Sequence, residues 1–351
     1  METRERNYAV SIIRAIALLF VFLCHVLQQS RVPIVGDYFS VCVQMFLVLS
    51  GWLYGNRPLD TPRSKWNFVR RNFGKILLDY YVYLLLFALP LYALLKPGSV
   101  NRDSLFGVLT CSSTIVGIHH LWYIPYILAC YLLTPLLSDI RLLLGERRNR
   151  NPWRAAAAFA VAAAGFQVLL YAFHDYFIGA WLLCYGVGYF ARSWWPALSP
   201  RGRKGGMALL IAATLIANLV KHVCKYMLKL PLTGLKGELL NLEYLYAQAL
   251  LGICLFAALY LWLRRLPLGR HAWVRRFLTQ ADRYSYDIYL THMIFVKGIL
   301  SLIGLTGSWP ADLLVIVVIS GVCGIVLYKV SQWIRTLILR MGDRNRATAR
   351  R

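Results

Sequence analysis

What most constrains this chain is a succession of apolar runs, each about 17–25 residues long and so able to cross a bilayer as a helix. Ten are read near residues 8–28, 38–55, 76–95, 119–137, 155–173, 176–191, 206–224, 241–263, 284–304 and 311–333. The runs are continuous rather than alternating, which excludes a transmembrane barrel. The sixth is short and holds Gly179, Gly186 and Gly188, so its limits are loose. A moderately apolar piece from Leu105 to Ile118 is too short to span and reads as re-entrant or interfacial. The fold class is therefore all-α, a polytopic membrane protein with about ten transmembrane helices.

Composition closes the soluble alternative. By length, 351 residues would make two soluble domains. Yet 59% of the chain is hydrophobic, 15% is charged and the mean hydropathy is +0.54. A soluble surface needs roughly 25% charge. Lys and Arg number 39 against 15 Asp and Glu, a formal +24. On a soluble protein that excess would suggest nucleic acid. Here no nucleic-acid partner is expected, because the basic residues fall in alternate loops. Connections on the side of both termini hold 29 of them and the intervening loops hold 7. By the positive-inside rule, both termini face the cytoplasm and the chain is a multi-pass protein with an even number of spans. One outward segment, 221–240, breaks the pattern with Lys221, Lys225, Lys229 and Lys236. It is either a solvated loop or one that meets headgroups or an anionic acceptor.

Other signatures are missing. The first run carries Arg14 and His25, interruptions that a cleavable signal sequence does not need. Eight cysteines are scattered without a CxxC pair and read as apolar fillers, so no metal is expected. The sequence has no glycine-rich phosphate loop, no HExxH helix and no internal repeat. Residues 1–340 read as one membrane domain and 341–351 as a basic cytoplasmic tail.

Ionisable groups inside spans are costly and each needs a reason. Arg14 and His25 are eleven residues apart in YAVSIIRAIALLFVFLCHVLQ, which places them on one helix face some 16 Å apart. The plain alternative has Arg14 snorkelling to the inner headgroups and His25 at the outer interface. Arg70, Arg71 and Lys75 cluster in VRRNFGKILLDYY at the cytoplasmic entrance to the third span. They satisfy the positive-inside rule, or they hold an anionic ligand such as a nucleotide phosphate. Asp79 reads as the i,i+4 partner of Lys75. His119, His120, Trp122 and Tyr123 open the fourth span, where aromatic residues are ordinary but a histidine pair is not. In ADRYSYDIYLTHMIFV, Asp282 and Arg283 read as loop charges. Asp287 reads as the partner of a cation on another helix, and His292 as a second imidazole in a central cavity.

Together these segments resemble the acyltransferase 3 family of integral membrane acyltransferases. Arg14-x10-His25 is similar to its first-helix signature. QMFLVLSGWLYG, with Phe46, Ser50 and Gly51, resembles its phenylalanine-serine-glycine motif. VRRNFGKILLDYY resembles its arginine-rich motif, although Lys75 stands where arginine is common and Leu78 where proline is common. HHLWYIPYILACYLLTPLL and SYDIYLTHM, with Ser285, Tyr289 and His292, are similar to two later segments. The resemblance runs from about residue 8 to 335 in the usual order.

It implies transfer of an acyl group, most often acetyl from acetyl-CoA, to a hydroxyl of a cell-surface or lipid-linked saccharide. His25 is then the general base or is itself acylated, and Arg14 orients the acyl arm or carbonyl. Arg70, Arg71 and Lys75 are expected to hold acyl-CoA, and Ser50, His120, Trp122, Tyr123, Asp287 and His292 to line the substrate site. The partners expected are acyl-CoA, a saccharide acceptor and membrane lipids, and no metal takes part. The rival reading is a transporter or flippase of a lipid-linked saccharide, which also has many spans and charges around a cavity. No paired discontinuous helices or two-fold repeat support it.

Overall fold

The computed structural model describes residues 7–30, 32–57, 59–111, 115, 117–143, 176–231 and 233–348, and among these every regular element is helical. In chain order they are α1 (Tyr8–Gln28), α2 (Pro33–Phe39), α3 (Cys42–Tyr54), α4 (Pro62–Tyr83), α5 (Leu89–Leu95), α6 (Arg102–Leu109), α7 (Tyr123–Leu143), α8 (Tyr176–Ala197), α9 (Pro200–His222), α10 (Gly234–Leu263), α11 (Ala272–Val296) and α12 (Trp309–Thr348). Seven candidate spans among the described residues are long and apolar enough to cross a membrane. They match seven of the ten runs. The run at 155–173 lies outside the described residues. Those at 176–191 and 284–304 fall on α8, which is rich in tyrosine, tryptophan and glycine, and on α11, which carries several charges.

Several limits differ from the sequence reading, each for a local reason. The third span does not begin at residue 76. Thr61 and Ser64 form a capping box with Pro62 at the first helical position, so the helix starts there and carries the whole basic segment. It continues to Leu95 through a π turn at Leu84–Ala88. That turn directly precedes Pro90, which lacks an N–H and cannot join a regular ladder. The ninth run ends early, at Val296. Turns follow, with Gly304 and Gly307 at φ +85° and +72°, a region that only glycine enters without strain. Among the described residues of the 105–118 piece, the regular element is the short α6, begun by an Asn101/Ser104 capping box.

Two contacts set the arrangement around the site. First, α1 and α11 run parallel. Arg14 pairs with Asp282 near one end, and His25 stacks on His292 near the other. Second, α3 and α8 meet backbone to backbone. A Cβ on Gly51 would lie 2.0 Å from the Tyr185 carbonyl oxygen, and one on Gly188 2.1 Å from that of Val48. Small residues allow such approach, and dispersion between the closely packed backbones then holds the helices together where lipid supplies no hydrophobic drive.

Candidate active site

A cavity of about 350 Å³ opens between α1, α3, α4, α7, α11 and α12. Its two ends differ in chemistry. Toward the Arg14 end of α1 it is lined by Arg14, Lys75, Asp79, Asp282, Arg283, Asp287 and Arg335. Toward the His25 end it is lined by His25, His120, Tyr123 and Tyr289, with Phe46, Ser50 and Trp122 also in the wall. Arg14 and His25 therefore share one cavity. Their eleven-residue spacing is about 16 Å of helix, and the cavity runs alongside it.

At the charged end, the Asp282 carboxylate accepts from Arg14 Nη1 at 2.7 Å and from Ser11 Oγ at 2.6 Å. Asp282 and Arg283 are thus not loop charges. They sit within α11, which starts ten residues before Asp282. Asp79 faces Arg335 of α12 at 3.5 Å instead of closing an i,i+4 pair with Lys75. Asp287 is buried, with Oδ1 lacking a hydrogen-bond partner, and among the described residues no cation pairs with it. Lys75 likewise makes no ion pair among the described residues.

The other end holds an imidazole cluster. His292 is fully buried, stacked on His25 with ring centroids 5.6 Å apart and edge-on to His120 at 4.9 Å. His120 Nε2 lies 3.1 Å from the Leu290 carbonyl oxygen, and His292 Nδ1 lies 2.6 Å from that of Tyr289. A carbonyl only accepts, so both nitrogens carry hydrogen. In the neutral rings the opposite nitrogens, His120 Nδ1 and His292 Nε2, then present lone pairs, and neither has a partner. His25 Nδ1 is also without one. His120 and His292 are held by backbone carbonyls, while His25 borders the cavity beside them with Nδ1 free of a partner.

Of the residues singled out from sequence, Arg14, His25, Ser50, Lys75, His120, Trp122, Tyr123 and Asp287 line this cavity, and His292 packs directly behind His25. Trp122 stacks on Trp181 of α8 at 4.7 Å, which fixes its indole against the wall. Arg70 and Arg71 do not join them. Both are exposed on α4, one turn and more before Lys75 and outside the lining. The sequence reading did not single out Arg335. Its signal was the polar series Tyr328, Gln332, Arg335 at helical spacing on an otherwise apolar helix, and all three line the cavity. No cluster among the described residues has the makings of a metal site.

The chain matches the acyltransferase domain family over residues 7–330, nearly its whole length. It belongs to the acyltransferase 3 family. The protein is thus a membrane acyltransferase. No curated protein and no solved structure matches it.

Proposed function

We propose that this acyltransferase moves an acetyl group from cytosolic acetyl-CoA to a hydroxyl of a cell-surface or lipid-linked saccharide, within the inner membrane and with both termini cytoplasmic. The observation that carries this reading is the two-ended cavity. Cations gather at the Arg14 end, and an imidazole whose Nδ1 has no partner borders the other end about 16 Å along the same helix.

In this reading the CoA phosphates sit at the cytoplasmic mouth against Lys75 and Arg335, with Arg70 and Arg71 on the adjoining face of α4 drawing the anion in. The pantetheine arm, about a dozen bonds long, extends past Arg14 toward His25. There His25 takes the proton of the acceptor hydroxyl as the oxygen attacks the thioester carbonyl. The carbon–sulfur bond breaks, and the proton passes to the departing CoA thiolate. In the covalent variant His25 first receives the acetyl group and then yields it to the hydroxyl. Tyr123 and Ser50 line the same cavity as hydroxyl donors for the oxyanion, whereas His120, whose Nε2–H is given to the Leu290 carbonyl, has no donor left for it.

The test is consumption of radiolabelled acetyl-CoA by purified protein in nanodiscs, comparing wild type with His25→Ala and Arg14→Ala. Turnover lost in His25→Ala while the protein remains folded supports the assignment, and label retained on quenched wild type identifies the covalent variant. A wild type that neither binds nor consumes acetyl-CoA overturns it, and transport of lipid-linked saccharide then becomes the activity to measure.

A further inference from the structure

A second, smaller pocket lies apart from the cavity, where α9 meets α10. Its volume is about 70 Å³, and Lys221, Lys225, Glu243 and Tyr244 are in its wall. Of the two readings of the 221–240 segment, a solvated loop does not hold for Lys221, which lies within α9. It is 1% exposed, its ammonium rests 4.1 Å from the Tyr38 ring centroid and 4.8 Å from that of Tyr244, and Nζ has no hydrogen-bond partner. Glu243 Oε1 is buried in the same wall and has no partner either. No ion pair joins the two. Neighbouring charges are satisfied: the Asp37 carboxylate accepts from Lys225 Nζ and from the Tyr226 hydroxyl, both at 2.8 Å.

A buried ammonium and one buried carboxylate oxygen of the half-buried Glu243 are therefore unpaired and turned to one small space. Leaving either unpaired costs more than pairing it. What satisfies both must accept from an ammonium and donate to a carboxylate. An anion fits Lys221 and is repelled by Glu243; a cation meets the reverse. A hydroxyl does both, and neighbouring hydroxyls on one ring edge would reach the two groups at once. At roughly 10–15 Å³ for each water-sized group, the pocket takes such an edge and not a whole sugar ring. It is also well placed. Gln28, one turn beyond His25 on α1, donates to Asp37 at 3.2 Å, and Asp37 accepts from Lys225 in the pocket wall, so hydrogen bonds link that wall to the helix that carries His25.

We infer that Lys221 and Glu243 form a saccharide subsite that grips an uncharged vicinal diol of the acceptor. The inference rests on the acyltransferase reading for its biological sense but makes a separate physical claim. It predicts that the gripped edge bears neither carboxylate nor phosphate.

The experiment is a binding titration by saturation-transfer NMR, without acyl-CoA, on the full chain in nanodiscs, using methyl glucoside, glucuronate and inorganic phosphate as probes. Wild type is expected to bind methyl glucoside. Lys221→Met and Glu243→Gln should each weaken it by roughly tenfold or more, the loss of one charge-assisted hydrogen bond. Glu243→Gln should also begin to bind phosphate, a gain that a merely structural role would not produce. If Lys221→Met fails to fold, the nearly isosteric Glu243→Gln decides alone. Methyl glucoside that does not bind, or that binds both variants unchanged, overturns the subsite. Phosphate bound by wild type through Lys221 overturns it in favour of an anion site. Acetyl-CoA consumption, measured separately on wild type, distinguishes failure of this subsite from failure of the transferase reading.

Discussion

Arg14 and Asp282 meet at 2.7 Å across parallel helices, and the same carboxylate accepts from Ser11 one turn earlier on α1. The pair fixes the register of α1 against α11 and holds the guanidinium at the cavity wall. Its side chains are 23% and 12% exposed, so part of the cost of separating them is met by water. Asp282→Ala should lower stability by about 1–3 kcal/mol and reduce acetyl-CoA turnover together with Arg14→Ala. In a double-mutant cycle the two losses should be far from additive. Additive losses would show that the pair does not act as a unit.

The imidazole cluster separates stability from activity. His25 makes no hydrogen bond through Nδ1, so His25→Ala should change thermal stability little while turnover falls by about 10²-fold or more, the usual contribution of a positioned base. His120 is different. It is buried and its Nε2 donates to the Leu290 carbonyl, so His120→Ala both opens a void and removes that hydrogen bond. That change should cost roughly 2–4 kcal/mol. Thermal unfolding and turnover measured on both variants check the contrast, and equal destabilisation by the two would refute it.

Which parts of this were legible beforehand follows from the physics of each signal. Long apolar runs report spans directly, and seven stand as helices of that character. Polar groups within spans report a cavity, which is why Arg14, His25, Lys75 and Asp287 were visible one at a time. Pairing across helices was not visible, because nothing local in ADRYSYDIYL says that Asp282 lies against a helix some 270 residues earlier. Lys221 shows the opposite limit: its charge excess was plain, but charge alone does not distinguish a solvated lysine from one buried between two tyrosine rings. Arg70 and Arg71 mark a motif whose residues part company in space, since Lys75, one helical turn on, is the one that reaches the cavity.

That divergence can be tested at the donor site. Cations in the cavity wall are the ones that can contact an arm lying within it, so Lys75→Ala and Arg335→Ala should each raise the KM for acetyl-CoA about tenfold through loss of a charge-assisted contact. Arg70→Ala and Arg71→Ala should change it only about two- to threefold, and that change should shrink as salt is raised, because charges outside the cavity act on its contents through a screened field. The reverse ranking would return the phosphates to the exposed pair.

The contact between α3 and α8 gives the sharpest structural expectation. At Gly51 an added methyl would lie 2.0 Å from the Tyr185 carbonyl oxygen, 2.8 Å from the Tyr189 nitrogen and 3.0 Å from the Tyr185 carbonyl carbon, all backbone atoms that no rotamer change can move aside. The two helices would have to separate by an ångström or more, and Phe46 and Ser50, on α3, would leave the cavity wall with them. Gly51→Ala should therefore destabilise by several kcal/mol and abolish turnover, well beyond the usual overpacking cost of about 1–3 kcal/mol. Gly74 supplies the control within a helix: a Cβ there meets nothing within 4 Å. Gly74→Ala should leave activity intact and stabilise by up to about 1 kcal/mol through helix propensity. Thermal unfolding of both variants, with wild type alongside, decides it; a well-folded Gly51→Ala would mean that α3 and α8 are not packed backbone to backbone.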